Sequence, residues 1–522
     1  MAHTNVARAF ANGMETKEKL CEIKGSIPLW LKGEVIRNGP GEFELGGDTF
    51  DHYFDGHALL HKFIIENGVV SYKSKFLKSE SFKHNHAHNR LLYGTFGHAS
   101  FPDPCKNMFS RLFTQMTVSP PQDACNVNIA ALGDAHYTIT DAGHAFRINP
   151  ETLETENKLN FKKLLNLPIT TAHPHHDANG DYFNIGTMFG ANACYCIVKV
   201  PSCKFAEVDP MQQLEVHSKI PLDDQFQPTY FHSFGLTRNH IVLHDQNLRI
   251  NIFKLLASGY TWNSILSCLV EDLKRPSIFH IVEKETGKQI PITFVAKAKF
   301  CFHFINCHEV EENGKHFLVI DMIASDKPNT GWNLWSVEKL KKGEITALPE
   351  NMTKAIRFLL PLSTESLVVG QAVTSFGCEA SAKLQEDGSV FLEPEILSRN
   401  APSSIELPRI NYVYNGLKYR YFYTIGHEKV FPSDQLVKVD IETKQAKIWQ
   451  QENCVPSEPI FVARPGSTAE DDGILLSTVI NLEQGKPVFM VILDASDMTE
   501  IARAEVDTVV PFPLHGIFKT KL

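Results

Sequence analysis

Asn-Gly and Asp-Gly pairs recur along this chain at Asn67-Gly68, Asn179-Gly180, Asn313-Gly314, Asp387-Gly388, Asn415-Gly416 and Asp472-Gly473. Each lies between runs of β-branched and aromatic residues. Such pairs tolerate the positive φ values of a tight hairpin turn, which makes them the strongest short-range signal for antiparallel strands. Residues 58–65 (ALLHKFII) and 69–77 (VVSYKSKFL), either side of Asn67-Gly68, illustrate the pattern. The chain therefore reads as all-β from end to end. No Pro- or Ser-rich linker divides its 522 residues, so one closed β unit over 1–522 is expected rather than several domains. A β-propeller reaches this size because each blade packs only on its neighbours. No clean sequence repeat marks the blades.

Two stretches break the β pattern. In 105–118 (CKNMFSRLFTQMTV), Phe109, Leu112, Phe113 and Met116 fall at the spacing of an apolar helical stripe, with Lys106 and Arg111 nearby. Residues 253–270 (FKLLASGYTWNSILSCLV) are too apolar and too broken for a surface strand. Such stripes most often pack on a core. Two of them in one β chain also make a candidate membrane-facing patch, centred on Phe109, Leu112, Phe113, Met116, Trp262 and Leu266.

A net charge of -9 gives no basic face for nucleic acid. The eleven cysteines form no C-x-x-C pair, and the N-terminal M-A-H-T-N-V-A-R-A-F lacks an apolar signal-peptide core. No window approaches the roughly 18 apolar residues of a membrane span. A cytoplasmic chain with reduced thiols is expected, and no obligate protein partner is inferred.

Twenty-three histidines need sorting. His84, His86 and His88 (H-N-H-A-H) would share one face of a strand, but their polar neighbours read as a solvated strand or loop. His173 (T-A-H-P-H), His232 (Y-F-H-S-F), His303 (C-F-H-F-I-N) and His515 (P-L-H-G-I-F) sit instead among aromatic or small residues in strand-like runs. Pro174 restricts His173 to extended conformations; His175 and His176 read as neighbours. Taken singly, each of the four could be a hydrogen-bonded core histidine.

Together, the four contexts resemble those of the carotenoid cleavage oxygenases. So do R-N-G-P (Arg37–Pro40), Y-F-D-G-H-A-L-L-H (Tyr53–His61), I-N-P-E-T-L-E-T (Ile148–Thr155), P-S-E-P-I-F-V (Pro456–Val462), E-D-D-G (Glu470–Gly473) and A-R-A-E-V (Ala502–Val506). The block F-P-D-P-C-K (Phe101–Lys106) is similar to the animal branch, which holds β-carotene oxygenases, insect isomerooxygenases and the retinal-pigment-epithelium isomerohydrolase. The resemblance implies a seven-bladed β-propeller with a helical and loop cap over its metal-bearing face. It implies iron(II) on the axis, held by His173, His232, His303 and His515. It also implies carboxylates behind the imidazoles: Glu406 for His303, Glu458 for His515, and Asp141 for His232. At Asp141 the family has glutamate, so a longer or water-mediated bond, or a closer backbone, is expected. Y-G-T-F-G-H (Tyr93–His98) is a further departure.

The chemistry implied is addition of dioxygen across one C=C bond of a carotenoid such as β-carotene or zeaxanthin, giving two aldehydes. Central 15,15′ cleavage is favoured, with or without trans-to-cis isomerisation; eccentric 9′,10′ cleavage and retinyl-ester isomerohydrolysis are the alternatives within the family. A carotenoid-binding protein would be free to lose a ligand, and none is lost. A zinc hydrolase would use three protein ligands, not four. Insoluble substrates imply peripheral contact with a membrane, such as smooth endoplasmic reticulum. Cys105 is a position for acylation or a plain thiol.

Overall fold

The computed structural model describes residues 6–92, 96–98, 123–261, 264–327, 332–344 and 353–521. The hairpin signals hold where they are tightest. His57–Glu66 and Val69–Phe76 pair antiparallel across Asn67 (φ 54°) and Gly68 (φ 78°), and Phe300–Glu312 and Lys315–Ser325 across Asn313 (φ 54°) and Gly314 (φ 73°). Two consecutive positive φ values match the twist of the flanking strands.

The strands form a β-propeller, and the order of packing shows how the ring closes. The first sheet runs Thr16–Leu20, Val69–Phe76, His57–Glu66, Gly33–Arg37 and Gly516–Thr520, mixing early and late strands. It packs through Ile36, Leu60, Ile129 and Phe146 on the sheet spanning 128–160. Leu132, Tyr137, Tyr182 and Val198 join that sheet to the one spanning 169–221. Phe183, Ile197, Ile241 and Leu243 then reach the sheet that begins at Gly235–Leu236. Ile281, Ile320 and Phe358 lead to the Phe300–Glu312 sheet, and Ile323, Phe422 and Val437 to the 404–450 sheet. Finally Tyr423, Leu475, Val491, Val35 and Phe63 tie that sheet to the 454–506 sheet and back to the first. Glu22–Gly25 pairs with Glu500–Val506, so the early chain latches the ring at two places.

The helical cap is thinner than expected. The described α-helices are Glu80–His88, Phe161–Leu165, Ile252–Thr261 and Val337–Lys342, all short, and loops supply the rest. His84, His86 and His88 lie in a helix, not in the strand or loop expected of them. Ser79 caps it, its Oγ accepting from Phe82 N at 3.1 Å, and Asn89 ends it in the left-handed conformation (φ 50°). Both ends satisfy backbone groups that would otherwise lack partners. Of the apolar 253–270 stretch, the first half belongs to the Ile252–Thr261 helix, followed by a 3-10 turn at Leu266–Cys268 and the start of the strand Leu269–Glu271. No helix among the described residues is long and apolar enough to cross a membrane.

Several histidines are buried far from water. Burial pushes His57 and His61 down to about 3, and His244 and His308 to about 4. Unfolded, each returns to its ordinary value near 6.5, so the unfolded chain binds more protons between pH 6.5 and 4. Stability is therefore fully retained above pH 6.5 and falls as pH drops toward 4. Each group contributes on the order of 3 kcal/mol to that loss, and four exceed what most proteins have to spare. Thermal unfolding followed by circular dichroism should show a steep fall in Tm across this window. A flat profile from pH 7 to 4.5 would contradict the burial of these rings.

Candidate metal centre

Four sheets each bring one histidine to a common centre. His173 lies between Ile169–Thr170 and His175–His176, and His232 just precedes Gly235–Leu236. His303 is within Phe300–Glu312, and His515 immediately precedes Gly516–Thr520. These last two strands and Gly235–Leu236 are the edge strands of their sheets, which places their histidines at the hub. One ligating atom from each of the four histidines lies within 4.8 Å of the others. The ring centroids of His173 stand 4.6, 4.7 and 4.4 Å from those of His232, His303 and His515.

Carboxylates turn three of the rings. His232 Nδ1 donates to Asp141 Oδ2 at 2.6 Å, His303 Nδ1 to Glu406 Oε2 at 2.6 Å, and His515 Nδ1 to Glu458 Oε1 at 2.8 Å. An acceptor at Nδ1 puts the proton there and leaves the Nε2 lone pair facing inward. His173 Nε2 and His232 Nε2 are 3.0 Å apart. His303 Nε2 is buried with no hydrogen-bond partner in the protein. Burial and the three neighbouring imidazoles hold His173 well below its ordinary pKa, and burial takes His515 down to about 4 against the pull of Glu458. Both are neutral at pH 7, as metal ligands must be. Four converging imidazoles, one nitrogen of them orphaned, fit a divalent transition-metal ion.

Neither the longer nor the water-mediated bond expected as alternatives at Asp141 is seen; the carboxylate reaches His232 directly at 2.6 Å. Asp141 O accepts from Thr170 N at 3.0 Å and its Oδ1 from Ala172 N at 2.9 Å, pinning its loop to the segment that carries His173. Tyr230, which sequence reasoning missed, donates its hydroxyl to Oδ2 at 2.9 Å. Also missed was the charge behind His515. Arg409 Nε lies 3.1 Å from Glu458, and Arg37, itself fully buried, donates to Glu458 O at 2.5 Å. Burial would raise the Glu458 carboxyl, but Arg409, His515 and Arg37 bring it down to about 2. Arg37 opens the quoted R-N-G-P block and Arg409 follows Glu406 by three positions, so both were visible as residues without a role.

His175 and His176 stay outside the cluster. His175 bonds Tyr412 OH (3.0 Å) and Phe234 O (3.1 Å), and His176 bonds Gly180 O (3.2 Å). Three of the four converging imidazoles line a cavity of about 350 Å³ whose wall is mostly apolar, including Phe54, Phe96, Ile250, Phe300 and Trp335. Of the expected membrane patch, Phe109, Leu112, Phe113, Met116 and Trp262, like Cys105, lie outside the described residues. Leu266 packs half-buried near Tyr230 and Leu248, and its N–H bonds Phe96 O at 2.7 Å.

Comparison with known proteins agrees with this geometry. Residues 10–520 match the family described as retinal pigment epithelial membrane protein (RPE65). The chain belongs to that family. Its relatives within the carotenoid oxygenases include the beta,beta-carotene 15,15′-dioxygenase of Homo sapiens, 35% identical over 98% of this chain and 94% of the relative. The enzyme of the same name from Gallus gallus is 36% identical over 95% and 94%. Among solved structures, a mutant of Synechocystis apocarotenoid oxygenase superposes with a TM-score of 0.77 at 21% identity, covering 100% of this chain and 99% of that one. The cobalt-substituted form of that oxygenase superposes with a TM-score of 0.76 at 22% identity, again covering 100% and 99%. These two show the shared propeller fold.

Proposed function

We propose that this chain is an iron(II)-dependent dioxygenase that cleaves a carotenoid at its central 15,15′ double bond. The observation that carries the reading is the convergence of four imidazole nitrogens, three of whose rings line a mostly apolar cavity, in a family whose relatives bear that activity in their name. Iron(II) held by His173, His232, His303 and His515 would supply open positions and electrons for dioxygen. Asp141, Glu406 and Glu458 hold three of the rings and offset the ion's charge. The apolar wall excludes water and sets which bond reaches the centre. One C=C bond and one dioxygen become two C=O groups, so no proton is moved. Accordingly, the carboxylates at the site are engaged by imidazoles and need not act as acid or base.

The decisive experiment is incubation of the iron-loaded protein with β-carotene in air and under argon, with chromatography of the aldehydes and ¹⁸O₂ labelling. Retinal carrying label and formed only in air is expected. Turnover of retinyl ester without dioxygen would favour the isomerohydrolase reading and overturn this one.

Seven blades are part of the same reading. Seven sheets of four or more strands occur among the described residues, and each contributes one of His173, His232, His303, His515, Asp141, Glu406 and Glu458. Peripheral membrane contact is part of it too. On the Ile252–Thr261 helix, Leu255 lines the cavity while Phe253 and Leu256 are 62% and 69% exposed, and Phe226 stacks on Phe253 at 5.0 Å. Burying two such side chains in lipid contributes roughly 3 kcal/mol or more. The double variant Phe253→Ser/Leu256→Ser should therefore bind vesicles roughly a hundredfold more weakly. Unchanged sedimentation with vesicles would remove this helix from the contact.

A further inference from the structure

Beyond the metal-centre histidines, Asp141, Glu406 and Tyr230, most of the polar side chains on the cavity wall fall in one row. Ser404 and His427 are cross-strand partners on Ser404–Arg409 and Tyr421–His427. Thr353 sits beside them, its Oγ1 2.8 Å from Ser404 Oγ and donating to Ile405 O at 2.5 Å. Ser325 ends Lys315–Ser325, the neighbour of the strand that Thr353 leads into. All four residues line the cavity. Ser404 precedes Glu406 by two residues on the same strand face, which puts the row about 7 Å beyond the carboxylate that holds His303.

The hydrogen bonds within the row leave specific capacity unused. Thr353 spends its proton on Ile405 O, so Ser404 must donate to Thr353; Ser404 Oγ also accepts from Thr353 N at 3.2 Å, and each hydroxyl keeps one lone pair to accept with. His427 is 9% exposed, and its Nε2 is buried with no partner in the protein. Burial takes the ring down to about 4, so at neutral pH it is an uncharged imidazole with one N–H and one lone pair. Phe431 meets it edge-on at 6.0 Å and offers no hydrogen-bond acceptor.

We propose that Ser404, Thr353 and His427 form a recognition site for a hydroxyl group on the terminal ring of the carotenoid, which makes this enzyme selective for ring-hydroxylated substrates. The inference rests on the proposed carotenoid cleavage. A hydrocarbon ring against this row leaves the imidazole nitrogen of His427 unsatisfied, which costs free energy. An alcohol satisfies both sides, accepting from the His427 ring and donating to a hydroxyl lone pair. A ketone can only accept. The row is displaced along its strand from the carboxylate that holds His303, so it meets a part of the substrate other than the bond being cleaved.

The test compares zeaxanthin, the ring-hydroxylated counterpart, with β-carotene in the iron-loaded full chain. The wild type should show the higher kcat/KM on zeaxanthin, mainly through KM. His427→Phe should lower the zeaxanthin-to-β-carotene ratio of kcat/KM by roughly ten- to a hundredfold. Ser404→Ala should move it in the same direction, and His427→Gln, which keeps a donor and an acceptor, should restore part of it. A ratio unchanged within about twofold in both His427→Phe and Ser404→Ala would overturn the proposal. So would an equal fall on both substrates. If the wild type cleaves neither carotenoid, the oxygenase reading fails instead. Quenching of Trp335 fluorescence, from the same cavity, then decides recognition: tighter binding of zeaxanthin lost in His427→Phe supports the site, and equal binding overturns it.

Discussion

His303→Ala should leave a folded chain that binds its metal hundreds of times more weakly and cleaves carotenoid about a thousandfold more slowly. The scale follows from sharing the roughly 10–16 kcal/mol of a four-ligand site among its ligands, about 3–4 kcal/mol each. That corresponds to roughly 10²- to 10³-fold in affinity, before any loss of geometry at the remaining three. The fold should survive because His303 Nε2 makes no hydrogen bond in the protein, and Glu406 keeps its bond from Leu407 N at 2.8 Å. Metal content by plasma emission, aldehyde formation and far-ultraviolet circular dichroism, measured on one preparation, separate these effects. Added imidazole should recover part of the activity by filling the vacated position. Full metal content together with full activity in the variant would remove His303 from the ligand set.

Glu458→Gln should be costly in a different way, because its carboxylate serves more than His515. It lies against Arg409 and accepts from Gly516 N at 3.2 Å, while the fully buried Arg37 bonds its backbone. An amide still accepts from His515 Nδ1, but two guanidinium groups then face each other with no counter-charge. Leaving a buried charge uncompensated costs about 3–5 kcal/mol. The variant should unfold at markedly lower denaturant concentration and accumulate poorly. Asp141→Asn provides the contrast: among the described residues no lysine or arginine is paired with Asp141, so its loss should lower metal affinity by roughly ten- to a hundredfold with little effect on the unfolding midpoint. Equal midpoints for the two variants would show that the arginines do not depend on Glu458.

How far the sequence could be read follows from what each signal encodes. The hairpins were legible because Asn-Gly states a backbone geometry directly. The four histidines, Glu406 and Glu458 were legible through their surroundings, which match a family pattern block by block. Asp141 was identified, but not its reach. Whether a shorter side chain touches His232 depends on where a loop is tied, and Thr170 and Ala172 tie it through backbone groups that no side-chain pattern records. The H-N-H-A-H stretch misled because its alternation suggests a strand, while the signals that decide it, Ser79 before and Asn89 after, lie just outside. The row formed by Thr353, Ser404 and His427 is silent in sequence. Its members are ordinary polar residues far apart in the chain, and only strand register brings them together.

The latch that closes the ring also sets when the metal can be captured. His515 is held by the strand Gly516–Thr520, whose partner is Gly33–Arg37. Among the described strand pairings this one has the largest sequence separation, and such contacts are the slowest to form. Until it forms, a chain with its other sheets in place presents three of the four imidazoles, and Glu458 has neither His515 nor Gly516 to bind. The high-affinity site therefore exists only once translation has passed residue 520 and the circle has shut. Metal loading becomes a report on completed folding, and a chain arrested or clipped before this strand would remain an empty scaffold however well its remaining blades had assembled.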